Sequence, residues 1–362
     1  MNQPVIRVLL VEDSLIALTI LKRILDSSPE IEVVGTAPNG REALELIPKL
    51  QPRVICTDLY MKEMDGLEFT RQVMAKFPCP ILVISAAVQK ENTQNIFRLL
   101  EAGAVDVFPK PSTGLASDYE LAKRDLINKI KVLSGVAVFT KRPQQPIASA
   151  SPISSPVLGT KRTFTPASPY RVVAIGASTG GPQALSTILT QLPANFPMPI
   201  ICTQHISEGF LQGLVDWLGS ECALSTKIAQ PGESPVPGNI YFAPERRHLE
   251  LDAQGRFTYA STDLVDGHRP SATVMLRAVA RFYSRAAIGV LLTGMGRDGA
   301  SGIQAIAQAG GLTIAQDEAS CVVFGMPREA IALNAVHYVL PPEEIVQLLL
   351  GKNDLQLKRK SP

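Results

Sequence analysis

The chain reads as an α/β protein of two domains on mostly parallel sheets, the second of them doubly wound. Three observations carry this. Short β-branched runs alternate with helical periods through residues 1–134. Residues 135–169 break that rhythm with six prolines, five serines and no acid. Beyond residue 170, buried-strand patterns resume and end in glycine-rich turns that open helices. A length of 362 residues also suits two cores better than one.

In the first domain the runs IRVLLVED, IEVVGTA, RVICTDLY, PILVISA and AVDVFPKP predict strands. Each is followed by a helical period: LIALTILKRILDSS, REALELIPKL, GLEFTRQVMAKF, NTQNIFRLLEAG and DYELAKRDLINKIKVL. Five βα units in a row specify a parallel sheet covered on both faces, and ligands bind where the carboxyl ends of its strands open. The polar residues fall there: Glu12 and Asp13 end the first run, Asp58 the third, Ser85 the fourth and Lys110 the fifth. Three carboxylates at one edge repel unless a hard divalent cation joins them, and Mg²⁺ suits few carboxylates plus water and phosphate. A lysine beside them holds a phosphoryl oxygen. An acid at a strand end is by itself more often a helix cap, and a lysine a solvated charge. Their common register is what makes the set specific.

The segment 135–169 cannot bury enough surface to offset its ordering entropy, so a linker is expected between a domain over 1–134 and another over 170–352. A basic tail, LKRKSP, closes the region 353–362. The formal charge of +2 divides unevenly: 16 basic against 17 acidic residues before 135, four against none in 135–168, and 15 against 16 afterwards. Neither domain is a polycation built for phosphate backbones, which argues against nucleic acid as a partner. The five cysteines are scattered and sit mostly in apolar runs, the pattern of reduced thiols in the cytoplasm. No run is long enough to insert in a bilayer.

RVVAIG is a strand pattern, PQALSTILTQL a helix pattern, and Ser178 lies in the GASTGG turn between them. Glycines at 176, 180 and 181 permit a turn too tight for Cβ atoms, the logic of a nucleophile elbow. A phosphate-cradling loop is the rival reading, but the spacing is not GxGxxG and no Walker lysine follows. A serine needs a base. Of four histidines, His205 ends the buried-strand run MPIICTQH and so emerges on the same sheet edge as Ser178. His268 in DGHRPSATVML is the best competitor, while His248 and His337 sit in structural contexts. Asp298 follows the strand run of AAIGVLLTGMGRDGASG and is placed to orient the base, although an acid there is more often the N-cap of the next helix. Asp263, Asp266 and Asp317 follow no comparable strand end. The spacing of Cys202 and His205 suggests zinc only weakly, since no second paired ligand exists.

On these residues the first domain resembles the receiver domains of two-component response regulators, a flavodoxin-like (βα)5 fold. The resemblance implies that Asp58 accepts a phosphoryl group and that Glu12, Asp13 and the Tyr60 carbonyl join it around Mg²⁺. It further implies that Ser85 and Phe108 form a switch pair, that Lys110 contacts the phosphate, and that Lys110–Pro111 is a cis peptide. Lys62 in YMKEMDG stands where that family usually has proline. The second domain resembles the catalytic domain of the chemotaxis protein-glutamate methylesterases, the CheB family, through GASTGGP, TQHISEGF, PGNIYFAPERRHLEL, HRPSATVML, LLTGMGRDGASG and TIAQDEASCVVFGMPREAI. It implies Ser178 as nucleophile, His205 as base and acid, Asp298 as orienting group, and the N–H groups of Thr179 and Met295 as oxyanion donors, with no cofactor in the catalytic site. The implied substrates are glutamate methyl esters, and by the same chemistry glutamines, of methyl-accepting chemotaxis receptors, with a chemotaxis histidine kinase as phosphodonor. HRPSATVML departs from the frequent HxPSVDVLF at the mouth of the site. A DNA-binding output and a phosphate-binding module remain the competing classes.

Overall fold

The computed structural model describes residues 4–85, 90–111, 116–136 and 170–351. The first domain runs β1 (Ile6–Val11), α1 (Leu15–Asp26), β2 (Ile31–Ala37), α2 (Gly40–Leu50), β3 (Val54–Thr57), α3 (Gly66–Lys76), β4 (Ile81–Ser85), α4 (Lys90–Glu101), β5 (Asp106–Pro109) and α5 (Ala116–Leu133). Its sheet has the order β2-β1-β3-β4-β5 with every pair parallel. All residues of β3 and β4 are buried, as their unbroken apolar runs require of strands covered on both faces. The two-residue period decides the sides: Val8 and Leu10 join a core with Leu21, Ile24, Leu126 and Ile130, whereas Leu9 and Val11 join Phe69, Val73, Ile96 and Phe97. Side-chain caps start the first three helices: Ser14 accepts from the Ala17 N–H, Asn39 from Glu42 and Asp65 from Glu68.

The second domain comprises β6 (Val172–Ala177), α6 (Gly181–Leu189), β7 (Ile200–Gln204), α7 (Leu211–Glu221), β8 (Ser225–Ile228), β9 (Asn239–Phe242), β10 (His248–Leu251), β11 (Phe257–Ala260), α8 (Ala272–Tyr283), β12 (Ala287–Leu291), α9 (Ala300–Gln308), β13 (Leu312–Gln316), α10 (Met326–Ala332), β14 (Tyr338–Leu340) and α11 (Pro342–Leu349). Its seven-stranded sheet, β14-β13-β12-β6-β7-β9-β8, is parallel throughout, and β10 and β11 form a separate antiparallel hairpin. After β6 the chain first adds β7 on one side and later β12 on the other. The strand order therefore reverses at β6, the kind of crevice where open α/β sheets bind ligands.

The two domains meet along α4, α6 and α7. The Phe97 and Trp217 rings stack at 5.3 Å, the Trp217 indole N–H donates to Glu101 Oε1 at 2.7 Å, and Gln183 Nε2 donates to the Ala104 carbonyl at 2.7 Å. Val322 and Val323, in the loop after β13, pack against the same apolar cluster as Val8, Phe108 and Leu126 of the first domain.

Two sequence expectations need adjustment. Gly135 and Val136, assigned to the linker, fold back on the end of α5, where Val136 is buried against the first domain's core; the rest of the linker, 137–169, and the tail 353–362 lie outside the described residues. The single cis peptide among the described residues is Arg269–Pro270, so Lys110–Pro111 is not cis. An X–Pro bond favours trans by about 0.5–1 kcal/mol, and nothing in the sequence around Lys110 opposes that preference.

Candidate active site

Ser178 is the first residue after β6, and its position follows from what the turn cannot hold. Gly180 adopts φ +77°, and a Cβ there would lie 2.5 Å from Val322. A Cβ on Gly294 would lie 2.7 Å from the Ser178 Cβ, so only a glycine lets the loop after β12 pass this close to the serine. Gly180 is the N-cap of α6 and offers no side-chain cap, and the Gly181 N–H donates to the Ser178 carbonyl at 2.7 Å, which folds the serine over the start of the helix. Ser178 Oγ makes no hydrogen bond among the described residues, while its backbone N–H donates to the Thr293 carbonyl at 3.0 Å.

His205 follows β7 directly, and its backbone N–H donates to the Ala177 carbonyl at 2.9 Å, which ties it in register beside Ser178. Asp298 lies in the loop from β12 to α9, fully buried, with Oδ2 at 2.8 Å from His205 Nε2. The three residues thus stand at the carboxyl ends of β6, β7 and β12, which are neighbours in the sheet. The His205–Asp298 approach has ion-pair distance but not hydrogen-bond alignment, and His205 Nδ1 has no partner. No hydrogen bond joins Ser178 Oγ to His205.

Asp298 does cap a helix, but not the one its sequence position suggests. The N-cap of α9 is Gly299, whose amide Asp298 Oδ1 accepts at 3.0 Å. Its main capping role is at α8: Oδ2 accepts from Ala272 N at 2.7 Å, and Oδ1 from Thr273 N at 3.0 Å and Ser271 Oγ at 2.6 Å. Burial pushes this carboxyl up, yet His205, the Ser271 hydroxyl and the Thr273 amide outweigh burial and hold it well below the ordinary carboxylate range. The charged form is therefore the favoured one, fixed beside the imidazole.

Three contributors were not singled out from sequence. Gln204 Nε2 donates to both the Ser178 and His205 carbonyls at 2.8 Å and so clamps the two strand ends together. Thr293 Oγ1 donates to the Thr179 carbonyl at 3.0 Å, and its N–H donates to Gln316 Oε1 at 2.8 Å. Ser271 caps α8 and donates to Asp298. A polar residue closing an apolar strand run, as Gln204 and Gln316 do, was the available signal. The N–H groups of Thr179, which is buried, and of Met295, which is half exposed, donate to no partner among the described residues. His268, the competing base, touches neither carboxylate oxygen of Asp298; its ring lies parallel to that of His205 at 3.8 Å. His248 is structural, with Nδ1 accepting from Ser271 N and Nε2 against the Asp263 carbonyl. His337 Nδ1 likewise pairs with Thr313.

The acidic edge of the first domain is assembled as its strand ends require. Glu12, Asp13 and Asp58 bring oxygens within 4.8 Å of one another, the one metal-competent cluster among the described residues. Lys110 Nζ bridges Asp58 Oδ2 at 2.7 Å and Glu12 Oε1 at 2.9 Å. Burial pushes the Glu12 carboxyl up, more than Lys110 offsets, whereas for Lys110 the hydrogen bonds and charges of Asp58 and Glu12 outweigh burial and push it up. Glu12 Oε2 is buried 2.8 Å from Lys110 Nζ but off the hydrogen-bonding direction, and such a carboxylate oxygen suits a hard cation. Ser85 and Phe108 are both buried, on the neighbouring strands β4 and β5, and Tyr60 is half exposed.

A parallel α/β domain that gathers a serine, a histidine and a buried carboxylate at its strand-order reversal, joined to a domain with an acid cluster and lysine, has the architecture of a hydrolase linked to a receiver. Residues 8–116 match the family described as response regulator receiver domain, and residues 173–349 match CheB methylesterase. The chain is 43% identical over 95% of its length to the protein-glutamate methylesterase/protein-glutamine glutaminase 1 of Syntrophus aciditrophicus, covering 97% of that protein. It is 40% identical over 96% of its length to protein-glutamate methylesterase/protein-glutamine glutaminase 4 of Myxococcus xanthus, again covering 97%. A crystal structure of the Thermotoga maritima CheB methylesterase catalytic domain, 40% identical, is covered to 98% by 51% of this chain with a TM-score of 0.49. The chain belongs to the receiver-bearing protein-glutamate methylesterase/protein-glutamine glutaminase family.

Proposed function

We propose that the chain hydrolyses glutamate methyl esters, and deamidates glutamines, on chemotaxis receptors, with Ser178, His205 and Asp298 as its catalytic residues. The observation that supports this most is the meeting of three strand ends that sets Asp298 Oδ2 at 2.8 Å from His205 Nε2 beside an unpaired serine hydroxyl. With Nε2 turned to Asp298, Nδ1 is the nitrogen left to take the Ser178 proton. Ser178 Oγ attacks the ester carbonyl carbon, and the carbonyl oxygen becomes an oxyanion facing the free N–H groups of Thr179 and Met295. Such preorganised donors contribute on the order of 3 kcal/mol each. The intermediate collapses, the C–O bond to the methoxy group breaks, and methanol leaves with the proton from the imidazolium. Water, deprotonated by His205, then attacks the acyl group and releases the glutamate carboxylate and Ser178. With glutamine as substrate, ammonia takes the place of methanol.

The proposed input is a phosphoryl group on Asp58 from the chemotaxis histidine kinase. Glu12, Asp13, Asp58 and the Tyr60 carbonyl are the residues that would hold Mg²⁺, which supplies charge neutralisation to the transferring phosphoryl group. Lys110 already spans Asp58 and Glu12 and has only to follow the new charge, with Ser85 and Phe108 as the proposed switch pair. The route to the active site is short: Val322 packs on the receiver core and lies against Gly180, two residues from Ser178. We read this as a receiver that covers the site until phosphorylation loosens the contact. The five unpaired cysteines support a cytoplasmic setting for this reaction.

The test is methanol release from methyl-labelled receptor membranes with and without acetyl phosphate. Wild-type protein is expected to release methanol faster with the phosphodonor, whereas in Asp58→Asn the ratio of the two rates falls to one. A variant that kept the full stimulation would refute the regulatory reading, and absence of methanol release by wild-type protein would refute the substrate assignment.

A further inference from the structure

We propose that His268 is a positioning residue for the hydrolysis, its ring forming the wall that fixes the plane of the catalytic imidazole of His205. This rests on the catalytic role assigned to His205 above. The hydrogen bonds that usually orient a catalytic histidine are incomplete here: Nε2 approaches Asp298 off the hydrogen-bonding direction, and Nδ1 has no partner. One aligned hydrogen bond would still leave the ring free to rotate about it. What sets the plane is the parallel contact with His268, at 3.8 Å between ring centres and 9° between planes.

The wall is itself held. His268 and Val265 exchange both backbone hydrogen bonds, at 3.0 and 3.1 Å, and Ser271, three residues on, caps α8 and donates to Asp298. His268 and Asp298 are therefore mounted on one rigid frame around His205. The groups that act on the His268 ring are His205, Asp298 and Asp266 from its own domain and Lys129 from α5 of the receiver. Burial first, and His205 next, push His268 down to about 4, so it stays neutral while His205 carries the transferred proton. A neutral aromatic face against an imidazolium is attractive, whereas two cationic rings at that spacing would repel. The ring nitrogens of His268 make no hydrogen bond among the described residues, which fits a role through its face.

The test compares His268→Phe, which keeps a flat ring, with His268→Ala, which removes it, using receptor methanol release and thermal unfolding. The expected result for His268→Ala is a fall in kcat of about 10- to 100-fold with little change in KM, the scale of a misplaced catalytic group. His268→Phe is expected to recover most of that kcat. Equal loss in both variants, with both folded, would overturn the proposal by assigning the effect to the imidazole nitrogens, and an undiminished kcat in His268→Ala would overturn it outright. His205→Ala is measured alongside: if it stays active the catalytic assignment itself fails, while an inactive His205→Ala with an active His268→Ala defeats only the positioning role.

Discussion

Replacing Ser178 by Ala is expected to lower methanol release by about 10⁶-fold, the scale seen when the nucleophile is removed from a serine relay. The fold should be untouched. Ser178 Oγ holds no hydrogen bond among the described residues, its backbone N–H keeps the bond to Thr293, and alanine fits wherever serine fits in the β6–α6 turn. The melting temperature should therefore stay within about 1 °C of wild type, as expected of a change that removes no contact. Methanol release from methyl-labelled receptors, measured on protein of verified stability, checks this. Retention of more than a trace of activity would show that another group attacks the ester.

Asp298→Asn is expected to lose about 10⁴-fold in kcat and, unlike the serine variant, to lose stability too. The carboxylate accepts from Ser271 Oγ, Thr273 N and Gly299 N on one oxygen and from Ala272 N on the other, the oxygen that also faces His205. An asparagine has one acceptor oxygen for these two positions. If it serves the three donors, its amide NH₂ faces the Ala272 N–H and His205 Nε2. His205 can then only accept at Nε2, so its proton moves to Nδ1 and the nitrogen meant to receive the serine proton is already protonated. The helix cap at Ala272 is lost with it, at a cost of about 1–3 kcal/mol for a buried unsatisfied donor. The pH dependence has a definite sign. Because the folded carboxyl is depressed, its contribution is complete above the unfolded value near pH 3.9 and fades as the pH falls further. The stability gap between wild type and Asp298→Asn should thus be constant from neutral pH to about pH 5 and narrow in stronger acid. Thermal melts across that range, with methanol release at neutral pH, test both halves.

These outcomes depend on residues that differed in how plainly the sequence exposed them. The first domain's five strands were legible because each is an apolar run flanked by helical periods, and the chain alternates them without interruption. Its acid edge was legible for the same reason, since strand ends in a parallel sheet face one way. Ser178 and His205 followed from that rule in the second domain. Asp298 was harder: it lies seven residues past the end of β12, and its local context pointed to α9, whereas the donors it serves sit on α8, some 25 residues upstream. A cap that acts across the chain leaves no spacing to read. Gln204 was hidden in the strand pattern because one side chain bridging two carbonyls requires knowing that β6 and β7 are neighbours. His268 looked like a competing base because the sequence shows the residue type and not the ring geometry. In the structure it lies parallel against the His205 ring, a placement that spacing along the chain does not show. The trans peptide at Lys110–Pro111 shows the reverse limit, where a resemblance implied a backbone state that local sequence does not enforce.

Hydrolysis by this chain requires an alcohol made reactive by the imidazole beside it. The most direct measurement is the rate of covalent labelling by a fluorophosphonate, with the modified residue located by peptide mass mapping in wild-type protein and in His205→Ala. The expected result is a single adduct on Ser178 whose rate of formation collapses without His205. An adduct on another residue, or equal rates on Ser178 in the two proteins, would contradict it.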